Sequence, residues 1–95
     1  MINYDEALAI AKKKIGMTHE TSEWVIIEDE TIEREYGWFF FYQSREYMET
    51  RNFSKMLAGN CPFLIDKQGG MHETGSSAYS IDHWIKIFDT QFEEK

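Results

Sequence analysis

The chain holds one proline and one cysteine among its 95 residues. A lone Cys61 cannot close an internal disulfide, which excludes a stapled scaffold and fits a reducing compartment. Pro62 has no N–H to give a ladder, so its segment must begin a strand or lie at an edge. Basic residues are also short: 10 Lys and Arg stand against 17 Asp and Glu, for a formal net charge of −7. Nucleic acid and anionic membrane surfaces need a basic face, so neither is an expected partner. No apolar run is long enough to cross a bilayer. The start, Met1-Ile2-Asn3-Tyr4-Asp5, lacks the basic and apolar regions of a signal peptide. A soluble, cytoplasmic protein is expected. Repeats, low-complexity tracts and linkers are absent as well, so residues 1–95 are expected to form a single domain.

Chemistry-bearing patterns are equally scarce. His19, His72 and His83 fall on separate segments, and no H-x-x-x-H or C-x-x-C spacing occurs, so no metal and no cofactor are expected. Cys61 sits in an apolar stretch without a charged neighbour and reads as a small buried hydrophobe, not a nucleophile. Gly69-Gly70 lacks the lysine and helix start of a phosphate loop. His72 and Glu73 are adjacent on a strand, which turns them to opposite faces. Nothing here assembles an active site, so an enzyme is not expected.

What is abundant is aromatic. Trp38-Phe39-Phe40-Phe41-Tyr42 is five aromatic residues in a row, preceded by Gly37. Such a run must bury most of itself, and its residue types favour a strand. Alternation sends Trp38, Phe40 and Tyr42 one way and Phe39 and Phe41 the other, so both faces of this strand are apolar.

Around it the chain reads as helix, four strands, helix. Asn3 with Glu6 three residues later forms a capping box for a helix over residues 3–15. Tyr4, Ala7, Leu8, Ala11 and Ile15 make its apolar face, and Gly16 ends it. Residues 17–22 are a polar connector. Residues 23–28 read as a strand that continues to Tyr36, bent near Asp29-Glu30, with a turn into the aromatic strand at Glu35-Tyr36-Gly37. Residues 44–50 leave the sheet by an irregular path, and residues 52–58 form a helical turn with Phe53, Met56 and Leu57. Residues 61–66 and 71–74 pair through the turn Lys67-Gln68-Gly69-Gly70. After a loop over residues 75–79, Ser80 caps a final helix with the stripe Ile81, Trp84, Ile85 and Phe88, and the tail from Gln91 frays. The expected fold class is α+β: a four-stranded antiparallel sheet with the N- and C-terminal helices packed on one face, in the order α-β-β-β-β-α.

The chain resembles the immunity protein 35 family. The resemblance rests on Gly37-Trp38-Phe39-Phe40-Phe41, on Arg45-Glu46-Tyr47-Met48-Glu49-Thr50, on residues Leu57 to Asp66 with Gly59, Asn60 and Pro62, and on Gly75. Tyr4 with Ala7-Leu8-Ala9 and the final helix with Trp84 extend it over nearly the whole chain. Two departures are mild: Gly75-Ser76 stands where the family often has Gly-Thr, and Trp84 where it often has Tyr. The resemblance implies a bacterial immunity-type protein, non-enzymatic, that binds and neutralises a cognate toxin. It carries over no catalytic residues.

For the contact surface, Glu28, Glu30, Glu33 and Glu35 form an acidic stretch suited to a basic partner, although a solvated edge explains them as well. If both helices share one face of the sheet, the other face leaves Phe39 and Phe41 only partly capped by residues 52–58. A toxin or a second copy of the chain, as a homodimer, would then complete that face. The alternative reading is a small chaperone-like or stress-related protein that binds apolar clients through an exposed patch.

Overall fold

The computed structural model describes residues 1–16, 24–52, 54, 62–74 and 80–93. Helix α1 spans Tyr4–Lys14 and starts as its sequence dictates. The Asn3 side chain accepts from the Glu6 amide at 2.8 Å, and the Glu6 carboxylate accepts from the Asn3 amide at 3.2 Å. Asp5 and Glu6 face the positive end of the helix dipole, and Lys12, Lys13 and Lys14 its negative end. Gly16 ends the run at φ +77°, a conformation that glycine adopts without a Cβ clash. Ala7 and Ala11 are fully buried, and their small side chains let the helix lie close on the sheet.

The strands are β1 (Trp24–Ile26), β2 (Ile32–Arg34), β3 (Gly37–Phe40), β4 (Tyr42–Ser44), β5 (Phe63–Asp66) and β6 (Met71–Glu73). The antiparallel order β2-β3-β5-β6 makes a four-stranded sheet, and β1 pairs with β4 in a second, two-stranded one. The class is α+β with antiparallel sheets between N- and C-terminal helices, as the sequence reading has it. The difference is that each of the first two expected strands is broken in two. Ile26 pairs with Tyr42 and Ile32 with Phe39, so residues 27–31 stand opposite residues 40–41. The surplus is taken up by a 3-10 turn at Glu28–Glu30, and the Ile27 amide still donates to the Phe41 carbonyl at 2.8 Å. Three successive exposed carboxylates are poor strand formers, which is why the expected bend lies here.

Strand β3 is buried at every position, and its two faces belong to different clusters. Trp38 and Phe40 pack with Phe63, Ile65 and Ile26 under Ala7 and Ala11 of α1. The Tyr4 ring stacks on Phe40 at 6.1 Å and meets Trp38 edge-on at 6.3 Å. Phe39 and Leu64 pack against Phe88 of helix α3, which spans Ile81–Glu93. The helices therefore cover opposite faces of the sheet, not the one face expected from sequence. The reason is in the central pair itself. β3 and β5 are apolar on both sides, and leaving one side open would keep Phe39 and Leu64 in water at about 1.5–3 kcal/mol each.

Two local features complete the frame. Ser44, read as the start of an irregular exit, instead caps a short helix α2 (Arg45–Thr50) by accepting from the Tyr47 amide at 3.2 Å. Arg45 and Glu49 pair one turn apart on it at 2.7 Å. The expected β5–β6 hairpin is present and is organised by Asp66. One of its carboxylate oxygens accepts from the Gln68 and Gly70 amides at 2.8 and 2.9 Å, and the other lies 2.7 Å from His72 Nε2. The expectations for residues 17–22, 75–79 and Cys61, and for Phe53, Met56 and Leu57 in the 52–58 turn, lie outside the described residues.

Candidate partner-docking groove

At one end of the four-stranded sheet, the β2–β3 hairpin stands beside the last turns of α3. Between them runs an open groove of about 850 Å³ lined by Glu33, Arg34, Glu35, Tyr36, Lys67, Asp89, Phe92 and Glu93. Its residues come from three distant parts of the chain, and the packing of α3 on the Phe39 face joins them. Tyr36 and Phe92 stack with ring centroids 4.6 Å apart and planes only 5° from parallel, which forms an aromatic floor.

Asp89 ties helix to hairpin beside that floor. Its carboxylate accepts from the Arg34 guanidinium at 2.6 and 3.1 Å and from the Tyr36 hydroxyl at 2.6 Å. The Tyr36 hydrogen bond and the Arg34 guanidinium hold the Asp89 carboxyl below the ordinary carboxylate range, against some desolvation. Burial and the neighbouring Asp89 carboxylate push the Tyr36 hydroxyl up, and Asp89 raises Arg34. In the adjoining turn, burial pushes the Asp66 carboxyl up. The hydrogen bonds from His72 and from the Gly70 and Gln68 amides outweigh this and leave it lowered. Across the sheet, Lys14 lowers Glu73 through a 2.7 Å ion pair.

A pH dependence follows from these directions. Asp66 and Asp89 have folded values below their unfolded ones. Their contributions to stability are therefore complete above the unfolded value of about 3.9 and are lost as pH falls through the folded values. We expect the urea midpoint to fall on acidification below about pH 4, and D66N and D89N each to flatten that fall while lowering the midpoint at pH 7. An acid limb identical in wild type and both variants would contradict the assignment.

The acidic residues singled out by sequence are all exposed, and two of the four border the groove. Glu33 and Glu35 line the groove; Glu28 and Glu30 sit exposed on the 3-10 turn and are not among the lining residues. Phe39, expected to face a partner, is fully buried within the chain, and Phe41 is half-buried against the same α3-side cluster. Phe39 is therefore covered by α3 and has no exposed surface for a partner, whereas Phe41 keeps part of its surface open. His72 and Glu73 do point apart: the His72 ring lies edge-on to Phe88 and Phe92 at 5.8 and 5.4 Å, while Glu73 reaches Lys14.

Sequence reading missed Arg34, Tyr36, Asp89, Phe92 and Glu93 as a unit. One signal was present: Phe92 stands four residues after Phe88, so the apolar stripe of α3 runs on into the stretch taken for a fraying tail. Among the described residues, no three His, Cys, Asp or Glu side chains gather where they could hold a metal ion. Nor is any described helix long and apolar enough to cross a membrane.

With this geometry in hand, comparison with known proteins gives the lineage. A family profile described as Immunity protein 35 matches residues 5–88, which takes in α1 except Tyr4, the six strands among the described residues and most of α3. The chain belongs to the immunity protein 35 family. Within that match lie Gly37, the buried β3 run, the Asp66 turn and the hairpin side of the groove, Glu33 to Tyr36. The α3 side of the groove, Asp89, Phe92 and Glu93, lies just beyond the matched residues. The chain is also 34% identical over 53 residues to a protein called "Uncharacterized protein YrhB" from Escherichia coli (strain K12). That match covers 56% of each sequence, so it spans about half the length of the relative. No solved structure matches the chain.

Proposed function

We propose that this immunity protein 35 family member is a non-enzymatic cytoplasmic protein that binds a cognate toxin and neutralises it by steric blocking. The observation that carries the reading is the family match over residues 5–88. The net charge of −7 agrees with it, because an acidic surface speeds encounter with a basic partner and discourages wrong ones. Should the toxin be a nuclease, exposed carboxylates such as Glu28, Glu30, Glu33 and Glu35 imitate the phosphates that it binds. The client-binding alternative calls for a contiguous apolar patch. The exposed large hydrophobics among the described residues are Met1, Met71 and Ile87, on the N-terminus, β6 and α3 respectively.

The test is co-expression with the toxin encoded by the neighbouring gene. The expected result is rescue of growth and a complex that survives affinity purification of either component. Growth arrest despite full expression, with no complex recovered, would overturn the reading.

A further inference from the structure

We propose that Arg51, at the end of α2, is a contact for the protein partner, its guanidinium pairing with an Asp or Glu carboxylate of that partner. The proposal rests on the toxin-binding reading and adds to it a contact residue and the chemistry that residue meets.

The backbone gives the first observation. Arg51 follows α2 at φ +58°, the one residue other than glycine with a positive φ among the described residues. A Cβ crowds the backbone in this left-handed conformation, which is why glycine normally takes it. Helix α1 ends in that way, with Gly16 at φ +77°. The same chain leaves α2 through an arginine. The turn is fixed from both sides. The Arg51 amide donates to the Tyr47 carbonyl at 2.7 Å. The Thr50 hydroxyl donates to the Glu46 carbonyl at 2.8 Å and accepts from the Asn52 amide at 3.2 Å. None of these bonds uses the Arg51 side chain, so glycine would make the same turn with less strain. An unfavourable backbone held in place by its surroundings points to a use for the side chain it carries.

The side chain gives the second observation. Arg34 pairs with Asp89 and Arg45 with Glu49. Arg51 is the remaining arginine, and among the described residues it joins no ion pair, in a chain of net charge −7. Carboxylates stand on its own helix, yet Glu49 is turned to Arg45 and Glu46 is not paired with Arg51. The Arg51 guanidinium instead lies over the Tyr47 ring at 5.6 Å, with Met48 Sδ 3.9 Å from Nη1. Arg51 is exposed, and Tyr47 and Met48 beneath it are half-buried. An arginine seated on an aromatic ring has less freedom to lose on binding, and its planar fork of donors matches a carboxylate. Arginine and tyrosine are also among the residue types that carry most of the binding energy in protein interfaces. On a mainly acidic surface such an arginine sets register, because it takes a carboxylate where the surface around it repels one.

Toxin-binding kinetics and urea unfolding of R51G, R51K and K13Q test the proposal. R51G should raise the urea midpoint and yet raise the dissociation rate from the toxin by about tenfold or more. R51K keeps the charge but not the fork, and should dissociate at a rate between those of R51G and wild type. K13Q removes an exposed cation from α1 and should leave dissociation unchanged. In double-mutant cycles of R51Q against alanine variants of the toxin's Asp and Glu residues, one carboxylate should show coupling of about tenfold or more. An R51G chain with a midpoint below wild type would show that the backbone carries no strain. An R51G chain that dissociates like wild type would remove the contact, and cycles without coupling would remove the ion pair. Each of these overturns the proposal and spares the toxin reading. A wild-type chain that does not bind the toxin overturns both.

Discussion

Gly37→Ala is expected to destabilise the protein by roughly 3 kcal/mol, near the upper end for an overpacked core. A Cβ at this position would sit 2.3 Å from the Ile65 carbonyl oxygen and 2.7 Å from the Asp66 Cα. Both are backbone atoms of the neighbouring strand, so no side-chain rotation can relieve the overlap. The only response is to part β3 from β5 at the Gly37–Asp66 pair. That end of the sheet is also where the Lys67 amide donates to the Tyr36 carbonyl at 2.8 Å and where Asp66 organises its turn. Parting the strands therefore disturbs the hairpin tip and the groove together. Gly16→Ala is the control. Nothing lies within 4 Å of its added Cβ, but its φ of +77° makes any side chain unfavourable by about 1–2 kcal/mol. Urea unfolding of the two variants separates steric from conformational cost. Equal midpoints for G37A and wild type would show that the strands are not in such close approach.

The second large effect belongs to Phe39. It is fully buried, pairs in register with Leu64, and touches Tyr36 and Phe88 with ring centroids 6.3 and 5.8 Å away. Truncating it to alanine opens a cavity between the sheet and α3, and the expected cost is about 3–5 kcal/mol. That is a large share of the roughly 5–15 kcal/mol that holds an ordinary domain together. The loss has a direction in space. Hydrogen exchange in F39A should accelerate first in residues 81–93 and only later in residues 4–14. Phe40, equally buried but facing α1, should reverse that order when truncated. An F39A chain within 1 kcal/mol of wild type would return Phe39 to the surface and revive it as a partner contact.

These two positions show how far the sequence could be read. Features that depend on neighbours in the chain were legible. Asn3 and Glu6 are three residues apart, and a capping box needs nothing else. The turn after Asp66 is likewise written in Lys67-Gln68-Gly69-Gly70, with Gly69 at φ +89°. Helix α2 was missed although Ser44 and the Arg45–Glu49 spacing announced it, because six residues carry too little periodicity to stand out beside an apolar strand. The acidic stretch was legible as charge, but not which of its members border the groove. Glu33 and Glu35 do, while Glu28 and Glu30 sit on the 3-10 turn and are not among the lining residues. Arg34 and Asp89 lie 55 residues apart, and no local pattern couples them.

From the sequence alone follow the family resemblance, the α+β class, the acidic character and the central place of residues 37–42. Each of these rests on composition, motif or short-range periodicity, which survive without a fold. The tertiary structure decided which helix covers which side of that strand. Alternation along a strand creates two apolar faces but does not say what lies on either one. Because α1 took the Trp38 and Phe40 side and α3 the Phe39 side, the aromatic run became core, and Phe92 and Glu93 came to the hairpin tip to form a groove there.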